Sequence, residues 1–415
     1  MNHQFFSQWM DDAARSTRAG RLAEATEVIQ RALRDAGLAP GAVQPPAAQP
    51  AAQGPASVAE QGSPWVLDGL TRVIDDDEPA APARSPGVAP AGTARGATAS
   101  STPGGATGGV GGTGERWLRD SFTHRGRTLA YRLYLPPEPA ATAGTAAASP
   151  RPLVVMLHGC TQNADDFAAG TQMNRLARDR GVAVLYPEQA QRDNAQQCWN
   201  WFKPQHQQRG RGEPAAIAAL VQSVCAAHSI DPARIYVAGL SAGGAMADIM
   251  GQCYPDVFAA VGVHSGLPQG CAADVASALS VMRSGPSPVR GPGRAEGQRA
   301  PVPTIVFHGD ADTTVHVSNG AAIAQAGSQA ADAAQGRAGR RGASEATQGR
   351  SGRGDRHTRT LYTDAGGGTT VEYWKLHGTG HAWSGGSAAG SYTHPGGVDA
   401  SAEMLRFFLE HPRAR

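Results

Sequence analysis

The chain has 415 residues, 37 of them basic and 35 acidic, giving a net charge of +2. Glycine (53), alanine (76) and proline (29) dominate, whereas aromatic residues make up 6%. A near-neutral balance excludes a whole-protein polyanion binder, so nucleic acid is not an expected partner; side chains this small offset little chain entropy, so part of the sequence is expected outside any core.

The opening segment MNHQFFSQWMDDAARSTRAG lacks the basic n-region and apolar h-region of a secretory signal. No apolar run approaches the roughly 20 residues that span a bilayer. A cytoplasmic protein without a transmembrane segment is the expectation. Residues 1–36 read as a helical hairpin: apolar residues recur at Phe5, Phe6, Trp9 and Met10, then at Leu22, Ala25, Val28, Ile29 and Leu33, with a break at Gly20. One helix pair is too short for a repeat array, which needs about three units, so a docking or self-associating segment is expected. Residues 37–115 form a disordered Ala/Pro/Gly-rich linker, with an apolar island around Trp65, Leu67, Leu70 and Ile74.

From residue 116 the texture changes. Strands are expected at Thr128 to Leu135, Pro152 to Leu157, Val182 to Tyr186, Arg234 to Ala238, Ala259 to His264, Thr304 to His308 and Val371 to Leu376. Helices are expected at Pro214 to Ala227, Ala242 to Cys253 and Ala400 to Leu409. Apolar strands separated by helix-length segments imply an α/β domain over 116–415, with a mostly parallel sheet covered on both faces. Two Gly/Ala/Arg-rich stretches, 284–301 and 326–357, interrupt the pattern and are expected to be flexible surface insertions. The second has the arginines of an RNA-contacting arm but no aromatic for base stacking.

The five cysteines, at 160, 198, 225, 253 and 271, lack C-x-x-C spacing. Neither a disulfide-dense scaffold, a metal nor a cofactor is expected.

Chemistry is concentrated at Gly239-Leu240-Ser241-Ala242-Gly243, between an expected strand and an expected helix. A sharp strand-to-helix turn exposes the serine hydroxyl, the flanking glycines give neighbouring backbones room, and the helix N-terminus points N–H groups at a developing oxyanion. A serine needs a base, and the base an orienting carboxylate, in the chain order Ser, acid, His on this type of fold. Asp312, in the segment His308 to Val315, and His381, in Gly378 to Trp383, fill those roles at the carboxyl edge of the sheet. Asp310 competes for the acid role, and His357, His377, His394 and His411 are weaker candidates for the base. The backbone N–H groups of Cys160, after the strand Pro152 to Leu157, and of Ala242 are the candidate oxyanion hole. Trp199 and Trp201 stand two apart on an extended segment and share a side; that side is either a flat acyl-binding surface or core. Trp383 joins them as a candidate substrate contact.

Several segments resemble the polyhydroxybutyrate depolymerase family of α/β-hydrolase esterases. They are LHGCTQNADDFAAGTQMNRLA (157–177), YPEQ (186–189), CWNWF (198–202), RGRGEPA (209–215), IDPARIYVAGLSAGGAMA (230–247), GVHSGL (262–267), HGDADTTV and GHAWSGG. The resemblance implies an α/β-hydrolase fold and serine-esterase chemistry on a polyester or its oligomers, with Ser241, Asp312 and His381 as the triad. Related branches include feruloyl and acetylxylan esterases. It also implies a disulfide between Cys160 and Cys198, and an extracellular location as the family's habit, against the cytoplasmic expectation. The competing expectation is a binding or scaffold protein that displays an inactive hydrolase domain.

Overall fold

The computed structural model of the chain describes residues 114–138, 150–286, 301–335, 343–364 and 366–414. The expected hairpin, nearly all of the expected linker and residues 287–300 of the first insertion lie outside the described residues.

The described chain opens on β1 (Arg116–His124), β2 (Arg127–Leu135) and β3 (Arg151–Leu157). Helices α1 (Ala164–Thr171) and α2 (Met173–Arg180) lead to β4 (Ala183–Glu188), and α3 (Gly212–Ala227) leads to β5 (Ile230–Leu240). Then come α4 (Ala242–Cys253), β6 (Ala260–His264), α5 (Val275–Ser284), β7 (Thr304–Gly309) and α6 (Ser318–Ala334). The chain ends with β8 (Ala343–Arg350), β9 (Arg356–Thr363), β10 (Thr369–Leu376), the short β11 (Trp383–Ser384) and β12 (Thr393–His394), and α7 (Ala400–Glu410).

Ten strands form one sheet in the order β1-β2-β4-β3-β5-β6-β7-β10-β9-β8. The central strands from β4 to β10 are parallel, and antiparallel pairs close both edges. Each parallel strand is apolar on both sides because each side meets a helical layer. On β3, Leu153, Val155 and Leu157 enter one core with α3 and α4, whereas Val154 and Met156 enter the other with α1, α2 and α7. The same alternation sends Val237 to the first core and Tyr236 to the second, where the Tyr236 ring stacks on Phe408 of α7 at 5.1 Å. This is the α/β-hydrolase architecture expected from the alternation of strands and helices.

Residues 336–342 of the second insertion lie outside the described residues; the rest of the stretch 326–357 departs from its expectation as a flexible insertion. Its first part completes α6, and its later part forms β8 and the start of β9, laid antiparallel onto β10 at the sheet edge. Ser344 to Gln348 are exposed, so β8 carries no apolar alternation. Main-chain pairing with an already ordered neighbour supplies the order, and this leaves no signature in side-chain periodicity.

Candidate active site

Ser241 joins β5 to α4 with φ 57° and ψ −120°. Such a left-handed backbone at a non-glycine residue is strained and persists only where its surroundings fix it. A Cβ added at Gly239 would overlap Gly243 and come within 2.7 Å of the Leu157 carbonyl oxygen, and one added at Gly243 would overlap the same carbonyl. The glycines of the motif therefore let β5, β3 and α4 approach to backbone contact. The Ser241 N–H donates to the carbonyl of His264 at 2.9 Å, which anchors the turn to β6.

The structure brings Asp312 and His381 together. His381 Nδ1 lies 2.7 Å from Asp312 Oδ2, while Asp312 Oδ1 accepts the backbone N–H groups of Thr314 (2.9 Å) and Val315 (2.8 Å). Burial alone would raise the Asp312 carboxyl; the His308 Nε2–H 3.5 Å away, the hydrogen bond from His381 and its charge, and the Val315 N–H outweigh it and hold the group far below the usual carboxylate range. An ionised Asp312 accepts from Nδ1–H, so in the neutral imidazole Nε2 is the basic atom. Neither His381 Nε2 nor Ser241 Oγ has a hydrogen-bond partner among the described residues.

Asp310 takes a different histidine. Its Oδ2 lies 2.8 Å from His377 Nδ1 and its Oδ1 accepts the Gly378 N–H at 2.7 Å, while His377 Nε2 lies 2.8 Å from Thr358 Oγ1. The Asp310–His377 pair is about a quarter exposed on each side, whereas the Asp312 side chain is fully buried and that of His381 is 12% exposed. The two carboxylates are two residues apart yet separately partnered. His357 abuts Trp374, His394 pairs with Asp355, and His411 bonds to the carbonyls of Phe407 and Thr369.

Cys160 and Cys198 are joined by a disulfide, with 4.3 Å between their Cα atoms. The bond ties the turn after β3 to the segment carrying Trp199 and Trp201. Those tryptophans are 0% and 6% exposed, within the core on the α3 and α4 side, and Trp383 is 1% exposed within the other. Trp383 donates Nε1–H to Ser401 Oγ at 3.0 Å and meets Phe167 edge-on. The expectation that Trp199, Trp201 and Trp383 contact substrate is corrected on this ground. The shared side of Trp199 and Trp201 is real, but it faces the core.

Three buried residues that sequence reasoning passed over hold the site together. His264 accepts the Ser384 N–H on Nε2 at 3.0 Å and stacks between Phe307 and Trp383, so it links the turn of Ser241 to the loop of His381. His158 accepts the Gln189 N–H on Nε2 at 3.1 Å and donates Nδ1–H to the Gly159 carbonyl. Burial lowers His264 to about 3 and His158 to about 4, so both are neutral. Glu213 accepts from Gln189 Nε2, Asn200 Nδ2 and the Asn200 N–H at 2.6 to 2.8 Å. Burial acts to raise Glu213, but His206, Asn200 and Arg127 hold it at about 2. All three lie inside the motifs quoted above, where being polar amid apolar text was the available signal.

Two predictions follow from these buried groups. Unfolded His158 and His264 bind protons below about 6.5 and the folded rings only near 3 to 4, so their stabilisation is complete above pH 6.5 and is lost as pH falls. Asp248, raised by burial to about 6, opposes this by gaining stability as it protonates. The net expectation is a loss of about 2 kcal/mol in urea unfolding between pH 7 and pH 5; a flat profile would show that the rings are charged in the fold. Glu213→Ala strands the donors of Asn200 and Gln189 and should lower the unfolding free energy by roughly 3 to 5 kcal/mol, read from the urea midpoint, with a change under 1 kcal/mol contradicting its role.

Poly(3-hydroxyalkanoate) depolymerase C of Paucimonas lemoignei is 40% identical over 175 residues, 40% of this chain and 42% of that protein. Feruloyl esterase B of Thermothelomyces thermophilus is 38% identical over 128 residues, 31% of this chain and 43% of that protein. These matches span less than half the length of either relative. An acetyl xylan esterase from Aspergillus awamori shares the fold, with a TM-score of 0.51 at 19% identity, covering 71% of this chain and 98% of that one. Residues 129–350, more than half of the chain, match the family model described as "Esterase PHB depolymerase", and with the strained Ser241 turn and the Asp312–His381 pair inside one α/β-hydrolase sheet, the chain belongs to that family.

Proposed function

We propose that this chain is a serine esterase acting on poly(3-hydroxybutyrate) or its oligomers through an acyl-enzyme. The observation that carries the reading is the buried Asp312–His381 pair, with its free Nε2, one loop away from a strained serine at a helix N-terminus. Ser241 Oγ attacks the ester carbonyl as His381 Nε2 takes its proton. The N–H groups of Cys160 and Ala242 receive the oxyanion, each donor contributing about 3 to 4 kcal/mol of transition-state stabilisation. His381 returns the proton to the leaving alcohol, and the same base then activates the water that releases the acid. Asp312, held ionised by its partners, fixes the ring and stabilises the imidazolium.

The feruloyl esterase relative supports a carbohydrate-ester substrate as the second reading. Side-by-side hydrolysis of a 3-hydroxybutyrate trimer, amorphous polymer granules and methyl ferulate separates the two, with turnover of the first pair expected. Ser241→Ala should lower kcat by about 10⁶ if the triad acts as a unit. Retained activity, or a wild-type serine that a phosphonate does not label, rejects the mechanism; an unaltered chain with no ester turnover favours a non-catalytic scaffold.

The Cys160–Cys198 disulfide supports an oxidising, extracellular location over the cytoplasmic expectation, because a reducing cytosol does not maintain such a bond. Cys225, Cys253 and Cys271 are free. Denatured protein purified without reductant should therefore titrate three thiols, rising by two after reduction; full titration without reductant overturns the placement.

A further inference from the structure

Four consecutive backbone N–H groups at the centre of the turn between β3 and α1 are those of Gly159, Cys160, Thr161 and Gln162. Three have acceptors: Gly159 donates to Gln162 Oε1 at 3.0 Å, Thr161 to the Gln196 carbonyl at 2.7 Å, and Gln162 to the Gly159 carbonyl at 3.3 Å. The Cys160 N–H has none among the described residues. A Cβ added at Gly159 would lie 3.5 Å from the Leu240 carbonyl oxygen and 3.7 Å from Ser241 Cβ, so the turn rests directly against the nucleophile.

Gln162 is 2% exposed and both of its side-chain polar atoms are hydrogen-bonded. Its Oε1 faces an N–H donor. Its Nε2 donates to Asp166 Oδ2 at 2.9 Å and to the Ser391 carbonyl at 3.1 Å, groups that only accept, which fixes the orientation of the amide. Asp166 in turn accepts from the Ser391 N–H (2.8 Å) and Ser391 Oγ (2.5 Å). Ser391 belongs to the segment running from His381 to β12, so one buried amide spans from the electrophile-binding turn to the loop of the base.

We infer that Gln162 is a positioning residue of the oxyanion hole: it draws the Gly159 N–H into the turn, leaves the Cys160 N–H as the donor facing the reacting carbonyl, and sets that donor's distance from the His381 loop. The inference rests on the serine-esterase reading above. An amide is required because a carboxylate at 162 would keep the acceptor for Gly159 but set a second negative charge against Asp166, and an alkyl group would release both ends.

The test uses the full chain with Gln162→Glu, Gln162→Leu and the double variant Gln162→Glu with Asp166→Asn, which exchanges amide and carboxylate across the contact. For each, kcat and KM are measured on a short-chain p-nitrophenyl ester, together with the affinity for a trifluoromethyl ketone that forms a tetrahedral adduct. Titration of Ser241 with a phosphonate counts the folded sites. Both single variants should lose roughly 10- to 100-fold in kcat per titrated site, with KM within about threefold and adduct affinity falling in parallel. The exchanged pair should recover about tenfold of the loss.

Single variants with kcat per titrated site within twofold of wild type overturn the inference while leaving the esterase reading intact. So does a loss confined to the number of titratable sites, or a double variant no better than the single one. An unaltered chain with neither turnover nor labelling overturns both.

Discussion

At the carboxyl end of β5 the chain passes so close to β3 and to the first turn of α4 that Gly239 and Gly243 have no room for a side chain, and Ser241 between them is held at a φ of 57°. A residue in that region costs of the order of 1 to 3 kcal/mol. The cost is met by the packing of a six-strand parallel core whose neighbouring carbonyls, those of Leu157 and His264, abut the turn or accept its N–H. The position of the hydroxyl is thus set by main chain rather than by any side-chain contact. Everything else at the site has to be brought to that fixed point.

The approach from either side runs through a buried neutral histidine. His264 brings the loop of His381 toward the β5 turn by accepting the Ser384 N–H, and His158 shapes the turn of Cys160 by bonding the Gly159 carbonyl and the Gln189 N–H. An imidazole can donate with one nitrogen and accept with the other, so each ring spans two backbones without introducing charge. That property requires burial deep enough to keep the ring unprotonated. His308 acts on the acid, donating Nε2–H to the Val315 carbonyl while lying 3.5 Å from Asp312 Oδ2.

The alternation of strands and helices and the chain order of Ser241, Asp312 and His381 were legible in the sequence, because periodicity and a glycine-flanked serine report backbone geometry directly. The sequence favoured Asp312 over Asp310 without excluding the latter. Both lie in one loop beyond β7, and what separates them is which histidine each faces across β10 and how deeply each is buried, neither of which is a local property. The tryptophans failed for a related reason: spacing two apart fixes a common side, but only tertiary packing decides whether that side is cleft or core. The edge strand β8 was unreadable because a strand with exposed side chains, ordered by main-chain pairing, needs no apolar pattern. Gln162 and Glu213 were hidden because buried polar residues look, in sequence, like surface.

Two carboxylate–histidine pairs stand side by side at the end of the sheet, and burial assigns them different work. The Asp310–His377 pair is about a quarter exposed, so water screens its charges and its strength is mainly that of an oriented hydrogen bond between the loops after β7 and β10. The Asp312 side chain is fully buried, so its negative charge acts on His381 with little screening, and in the proposed mechanism charge developing on that ring is stabilised where it forms. The exposed pair therefore fixes the spacing of the loops and the buried pair supplies the field. On the proposed mechanism the same division recurs at the turn after β3, with the Cys160–Cys198 bond and the Gln162 amide setting the turn, and the Cys160 N–H, without an acceptor among the described residues, meeting the oxyanion. Rigidity on both flanks lets a serine whose hydroxyl has no hydrogen-bond partner among the described residues be aimed by its main-chain surroundings.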